Sequence, residues 1–188
     1  DGNYIYRLDG KTGAQSYARL DAKHFGVDWV EDIAYSQQGQ HVYGFARGLA
    51  SCWDVSSAHV VGNYSTPDGN SYRWLRLNKN GDRLAGYGHS ATYVWDTATE
   101  KTILPVLTLN GKSISALTFD PTGTQIIGFA DGLAQRWSAA DGQMVGHAAD
   151  VDYVDAISVL NHPSEDLLIV GCKDRSIRQL SLSTYACN

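Results

Sequence analysis

A chain of 188 residues that is 43% hydrophobic and 19% charged is long enough for one sizeable domain and too apolar to be disordered. Its net charge of −5 comes without a basic block, which argues against a nucleic-acid backbone as partner. No apolar run approaches the roughly 18 residues of a membrane-spanning helix.

Tyr4 to Leu8 alternates as a short strand, Asp9-Gly10-Lys11-Thr12-Gly13 reads as a turn, and Gln15 to Leu20 as a second strand. From there the chain repeats itself. Trp53, Trp95 and Trp137 are 42 residues apart, and the same step relates Ile33, Leu75, Leu117 and Val159. It also relates the turn pairs Gln38-Gly39, Asn80-Gly81, Thr122-Gly123 and Ser164-Glu165. One residue is inserted between Pro163 and Gly171, so Leu180 takes the Trp place at a step of 43.

The third unit shows the internal pattern most clearly. Ile114, Ala116 and Leu117 lead through Phe119 to Asp120-Pro121-Thr122-Gly123, where Pro presets φ and Gly accepts a positive one. Gln125 to Ala130 returns as an apolar strand, Asp131-Gly132 is a hairpin turn, and Leu133 to Trp137 is a third strand. After Ala139-Ala140-Asp141-Gly142 a short fourth strand is expected around Met144-Val145. Four antiparallel strands per 42 residues is one β-propeller blade, so the fold class is all-β. The expected division is a half blade at 1–20 and blades at about 28–61, 70–103, 112–145 and 152–186, or about four and a half blades.

These units resemble WD repeats, in which a Trp-Asp pair closes the third strand. Trp53-Asp54 and Trp95-Asp96 match the pair; Trp137-Ser138 and Leu180-Ser181 are degenerate. The resemblance implies a buried tetrad whose Asp falls at Asp131 and Asp174, with Arg47 and His89 in that place in earlier blades. The Gly-His pair is absent in register, Gly146-His147 lying nearby, and Tyr43, Ala85, Ile127 and Val170 replace the Ser or Thr of the second strand. No blade therefore carries the complete tetrad.

An open arc exposes apolar faces and strand edges. Three arrangements would cover them: the chain is a segment of a longer propeller; it pairs with itself or another chain; or it closes as a four-bladed ring, Gln15–Leu20 completing the last blade. The absence of an initial Met favours a piece of something longer. Cys52 and Cys172 sit in apolar strands, and with Cys187 they make an odd count without a C-x-x-C pair. They read as core residues of a reducing, cytoplasmic setting rather than a disulfide framework.

No metal-ligand spacing, nucleophile elbow or paired-carboxylate pattern occurs, so no catalytic, cofactor-binding or metal residue is assigned. His162, ahead of Pro163, reads as a turn residue. The architecture implies a non-catalytic scaffold that recognises a protein or peptide through the loops of one rim. Those loops carry Trp29, Ser71, Ser113 and Asp155 at the entries to first strands, and Arg47, His89, Asp131 and Asp174 at the turns between second and third strands. Trp29 is either an anchor for the partner or a residue packed between blades. Two other readings follow from residues. Leu8 to Gly13 resembles the strand-turn element of quinoprotein propellers, which are enzymes, and Tyr72, Trp74 and Tyr153 would suit a carbohydrate-binding rim.

Overall fold

The computed structural model describes residues 4–21, 30–46, 48–67, 73–88, 91–103, 106–151, 155–162 and 165–185. Strands β1 (Tyr4–Leu8) and β2 (Gln15–Asp21) form a two-stranded antiparallel half blade. Blade 1 is a four-stranded meander of β3 (Asp32–Tyr35), β4 (His41–Ala46), β5 (Leu49–Asp54) and β6 (Val60–Ser65). Blade 2 contains β7 (Trp74–Leu77), β8 (Arg83–Tyr87) and β9 (Thr92–Asp96). Blade 3 contains β10 (Ala116–Phe119), β11 (Gln125–Ala130), β12 (Leu133–Ser138) and β13 (Met144–Asp150). Blade 4 contains β14 (Ala156–Asn161), β15 (Leu167–Cys172) and β16 (Ile177–Ser181). No described helix is long and apolar enough to cross a membrane.

The first strands pack side by side, β3 on β7, β7 on β10 and β10 on β14, and form the inner wall of the arc. The second strands of blades 1, 2 and 3 lie between two strands in the plane and between two sheets across it. Their sequences are accordingly near-continuous apolar runs, and five of the six residues of β4 and of β11 are buried. The fourth strands meet water on their outer edge, and six of the seven residues of β13 are exposed. Four apolar cores result, one in each gap between neighbouring sheets. In the gap between blades 1 and 2, burial pushes the Cys52 thiol up to about 11 and raises the neighbouring Tyr43 and Tyr64 hydroxyls.

Hydrogen bonds tie neighbouring blades together, among them Tyr64 to the Thr97 carbonyl (3.0 Å), Asn78 to the Gly123 carbonyl (3.0 Å) and Arg136 to the Tyr185 hydroxyl (2.9 Å). The indole Nε1 of Trp53 donates to the Asp21 carbonyl of the half blade (3.2 Å), and that of Trp95 donates to the Ser65 carbonyl of blade 1 (3.1 Å). Along the inner wall the Leu75 amide donates to Asp32 Oδ2 at 2.8 Å, and Arg76 pairs with the same oxygen at 3.4 Å.

The residue after each Trp makes the next turn. Asp54 Oδ1 accepts from the amides of Ser56 and Ser57 (3.1 and 2.8 Å) and from both hydroxyls. Asp96 Oδ1 accepts in the same way from Ala98 and Thr99, and Asp9 Oδ1 from Lys11 and Thr12. Ser138 and Ser181 do this less fully, each accepting one amide. Four residues after each of these five side chains the backbone turns left-handed, at Gly13, Ala58, Glu100, Gly142 and Tyr185. The Asp9–Gly13 element is thus the general turn of these blades.

Several expected boundaries move. Fourth strands run to Ser65 and Asp150, past the expected unit ends at 61 and 145. The unit at 70–103 is not four-stranded among the described residues: a single bridge joins Trp95 to Thr102, and Ile103 and Leu107 each give one amide to β9. Strand β2 pairs with β1 and not with β16, so it does not complete the last blade.

Candidate functional site

Four of the eight expected rim residues, Trp29, Arg47, Ser71 and His89, lie outside the described residues, as do Tyr72 and Tyr153. The other four, Ser113, Asp131, Asp155 and Asp174, belong to blades 3 and 4.

The turn between β11 and β12 places Asp131 and Gly132 both at positive φ (49° and 76°), which lifts the Asp131 side chain into solvent. Its carboxylate lies 3.5 Å from Lys112 Nζ, at the approach to β10. In blade 4 the same two loops repeat the arrangement with charges exchanged. Lys173, on the turn after β15, reaches Asp155, at the approach to β14, at 2.8 Å. The Lys173 amide also donates to the Asp155 carbonyl, which fixes the two loops to each other. The hydrogen bond and charge of Asp155, and beyond it the charge of Asp131, raise the Lys173 ammonium above its ordinary value. Lys112, Asp131, Lys173 and Asp155 therefore form an alternating ladder across two blades. Exposed ion pairs of this kind contribute little to stability, so the arrangement matters for what it presents.

Asp174 stands beside the ladder. It accepts from the Ser176 hydroxyl and amide (2.6 and 2.9 Å) and from Arg178 (2.7 Å), which together hold its carboxyl down at about 2. Neither Asp131 nor Asp174 is buried, so neither plays the interior part that the tetrad implies. Ser113 lines a cleft of about 300 Å³ with Trp74, Gly88, Ile114, Ser115, Ile157 and Lys173. The cleft crosses blades 2, 3 and 4. Trp74, on its wall, stacks on Tyr87 with ring centres 5.4 Å apart. Among the described residues no group of three or more His, Cys, Asp or Glu is placed to hold a metal ion.

Sequence reasoning missed Lys112 and Lys173. Each is adjacent in sequence to an expected rim residue, and the signal was the opposite charge at the partner loop. It also missed the glycine column Gly44, Gly86, Gly128 and Gly171, one per blade. A Cβ on Gly44 would come within 2.9 Å of both the Trp53 ring and Ile5, and one on Gly128 within 2.9 Å of the Trp137 ring.

Sheets of up to four antiparallel strands, stacked face to face with first strands inside, are β-propeller blades. Residues 142–179 match the family model for the WD domain, G-beta repeat. That match starts before β13 and ends within β16, so one sequence repeat joins the outer strand of blade 3 to three strands of blade 4. The matched repeat is of WD type; Trp-Asp pairs stand at Trp53-Asp54 and Trp95-Asp96, while Trp137-Ser138 and Leu180-Ser181 depart from the pair.

Solved structures agree on the fold. A chain in the crystal structure of the mitotic checkpoint complex has a TM-score of 0.77 at 18% identity, covering 98% of this chain and 56% of its own length. The structure of U3-55K has a TM-score of 0.70 at 12% identity, covering 85% and 50%. The chain spans about half the length of these neighbours. No curated protein matches its sequence.

Proposed function

We propose that the chain is a non-catalytic recognition module that binds a protein or peptide through the rim carrying Lys112, Ser113, Asp131, Asp155, Lys173 and Asp174. The observation that carries this reading is the ladder of alternating charge, built from loops of two blades, beside a cleft with an aromatic wall. Such a pattern selects a partner of complementary charge and speeds its approach, while a Trp in a cleft supplies anchoring area. By the 42-residue step, Trp29, Arg47, Ser71 and His89 are the equivalent positions of earlier blades and extend the proposed surface. WD-type blades and a neighbour solved within a multiprotein complex are consistent with a scaffold.

The test is paired charge reversal. Affinity capture with the unmodified chain should recover a defined set of proteins, and Lys112→Glu with Lys173→Glu should lose it while circular dichroism and melting stay unchanged. Restoration by adding Asp131→Lys and Asp155→Lys would mean that the ladder serves only itself, and would overturn the reading. Quenching of tryptophan fluorescence by added glycans would favour the carbohydrate alternative, and a visible absorption band on adding a quinone cofactor would favour the enzyme alternative.

A further inference from the structure

The sequence contains two Asn-Gly pairs, Asn80-Gly81 and Asn110-Gly111, and the fold treats them differently. The backbone nitrogen that follows an asparagine can close a five-membered ring on the side-chain amide carbon. Glycine in the next place puts no Cβ in the way and accepts the backbone change that closure needs. Closure requires the peptide plane between the two residues to face the side chain.

Asn110-Gly111 is a two-residue turn closed by paired backbone bonds between Leu109 and Lys112, of 2.9 and 3.0 Å. Both central residues have positive φ, 50° and 75°, which makes it a type I′ turn. A type II′ turn keeps the positive φ at its first central residue and reverses it at the second. The two forms interconvert when the one peptide plane between Asn110 and Gly111 turns over, while Leu109 and Lys112 stay paired. That turnover carries the Gly111 nitrogen to the side-chain face of Asn110. Among the described residues the Gly111 N–H, the Asn110 carbonyl and the Asn110 side chain make no hydrogen bond that would hold the plane back. Both residues are exposed, and a Cβ placed on Gly111 would meet nothing within 4 Å.

Asn80 is exposed too, but its plane is held. The Gly81 amide donates to the Asn78 carbonyl at 3.1 Å, and the Gly81 carbonyl accepts from the Thr97 hydroxyl at 2.7 Å. Gly81 has a positive φ of 77°, whereas Asn80 does not have a positive one.

We propose that Asn110 is a site of spontaneous covalent modification, converted through a succinimide to isoaspartate and aspartate. The Gly111 nitrogen bonds to Asn110 Cγ and gives its proton to solvent. The Cγ–Nδ2 bond breaks, and Nδ2 takes up a solvent proton and leaves as ammonia. Water then opens the ring. Opening at Cγ restores the ordinary chain with an aspartate, and opening at the backbone carbonyl routes the chain through Cγ as isoaspartate. Either product places a carboxylate two residues from Lys112, whose ammonium lies 3.5 Å from Asp131. The new charge competes with Asp131 for Lys112 and alters the ladder, a consequence that rests on the rim proposed above.

The test ages the whole chain in warm, mildly alkaline buffer and follows both pairs by peptide mapping. Isoaspartate is identified by enzymatic methylation of its free α-carboxyl. Asn110 should convert about tenfold faster than Asn80, the factor that one held hydrogen bond supplies, and isoaspartate should exceed aspartate. In urea, where neither turn persists, the two rates should converge. Equal rates in the folded chain, a faster Asn80, no conversion at Asn110 or conversion to aspartate alone overturns the inference. So does a difference that persists in urea, which would belong to the flanking sequence and not to the turn. The consequence for the rim is read separately: Asn110→Asp should change the set of proteins recovered by affinity capture. An unchanged set overturns that consequence while the mapping still decides the modification.

Discussion

Blades 3 and 4 lie side by side and share a backbone plan, yet they fill it differently. In blade 3 the Trp137 ring lies against Gly128, with a would-be Cβ 2.9 Å from the indole and 3.1 Å from Ile114. In blade 4 Leu180 replaces the indole, and a Cβ on Gly171 would meet only Ser158, at 3.8 Å. At the left-handed turn position blade 3 has Gly142 (φ 71°), while blade 4 has Tyr185 (φ 59°). Tyr185 bears that strain and contributes a contact. Its ring stands edge-on to Phe129 at 6.4 Å and lies 4.9 Å from the Arg136 guanidinium, whose Nε donates to the Tyr185 hydroxyl at 2.9 Å. Blades 1 and 2 reach back to the preceding blade through an indole; blade 4 has no indole and does so through Tyr185. The repeat therefore preserves the link between blades more faithfully than the residue that makes it.

The sharpest way to break this comparison is to add one methyl group to each blade. Gly128→Ala should cost about 2 kcal/mol in urea unfolding, because the indole has no room to withdraw. Gly171→Ala should stay within about 0.5 kcal/mol. In a Trp137→Leu background, which gives blade 3 the side chain of blade 4, the cost of Gly128→Ala should fall by about 1 kcal/mol. Ile114 keeps the remainder, and a double-mutant cycle measures the coupling.

The turn position should respond in opposite senses to strain and packing. Gly142→Ala should destabilise by about 1 kcal/mol, since alanine resists the left-handed backbone. Tyr185→Gly relieves the same strain but should still lower the melting temperature, because the Phe129 and Arg136 contacts are lost with the ring. A rise would mean that the tyrosine ties nothing.

The smallest effect is acid-dependent. The Ser176 hydroxyl and amide, with Arg178, hold the Asp174 carboxyl at about 2 against an ordinary 3.8. A depressed carboxylate contributes stability in full above its unfolded value and loses it as pH falls through its folded one. The turn between β15 and β16 should therefore loosen between about pH 4 and pH 2. Amide exchange at Ser176 should accelerate over that window in the native chain and show a flatter profile in Asp174→Asn.

Much of this architecture was legible in the sequence because it is written locally and four times over. Alternating apolar residues, Gly-bearing turns and the 42-residue step locate β1, β2, β11 and β12 to within a residue or two. The Trp column marked the third strands. The Gly column went unread because glycine in a strand pattern resembles one more turn, and its reason, an indole lying across the sheet, is a contact between strands. For the proposed rim, equivalent loops could be aligned on Ser113, Asp131, Asp155 and Asp174, whereas Lys112 and Lys173, each one residue away, show their part only through pairing across loops to Asp131 and Asp155. The link from Tyr185 to Arg136 has no local signature.

The bonds from Trp53 and Trp95 also give the arc a direction in time. Each indole donates to a carbonyl that lies earlier in the chain, by 32 and 30 residues. During synthesis at about 10 residues per second, the acceptor leaves the ribosome roughly three seconds before the ring that needs it. Each new sheet therefore meets a finished surface, and growth from the amino end never leaves an indole N–H waiting for its partner to be made.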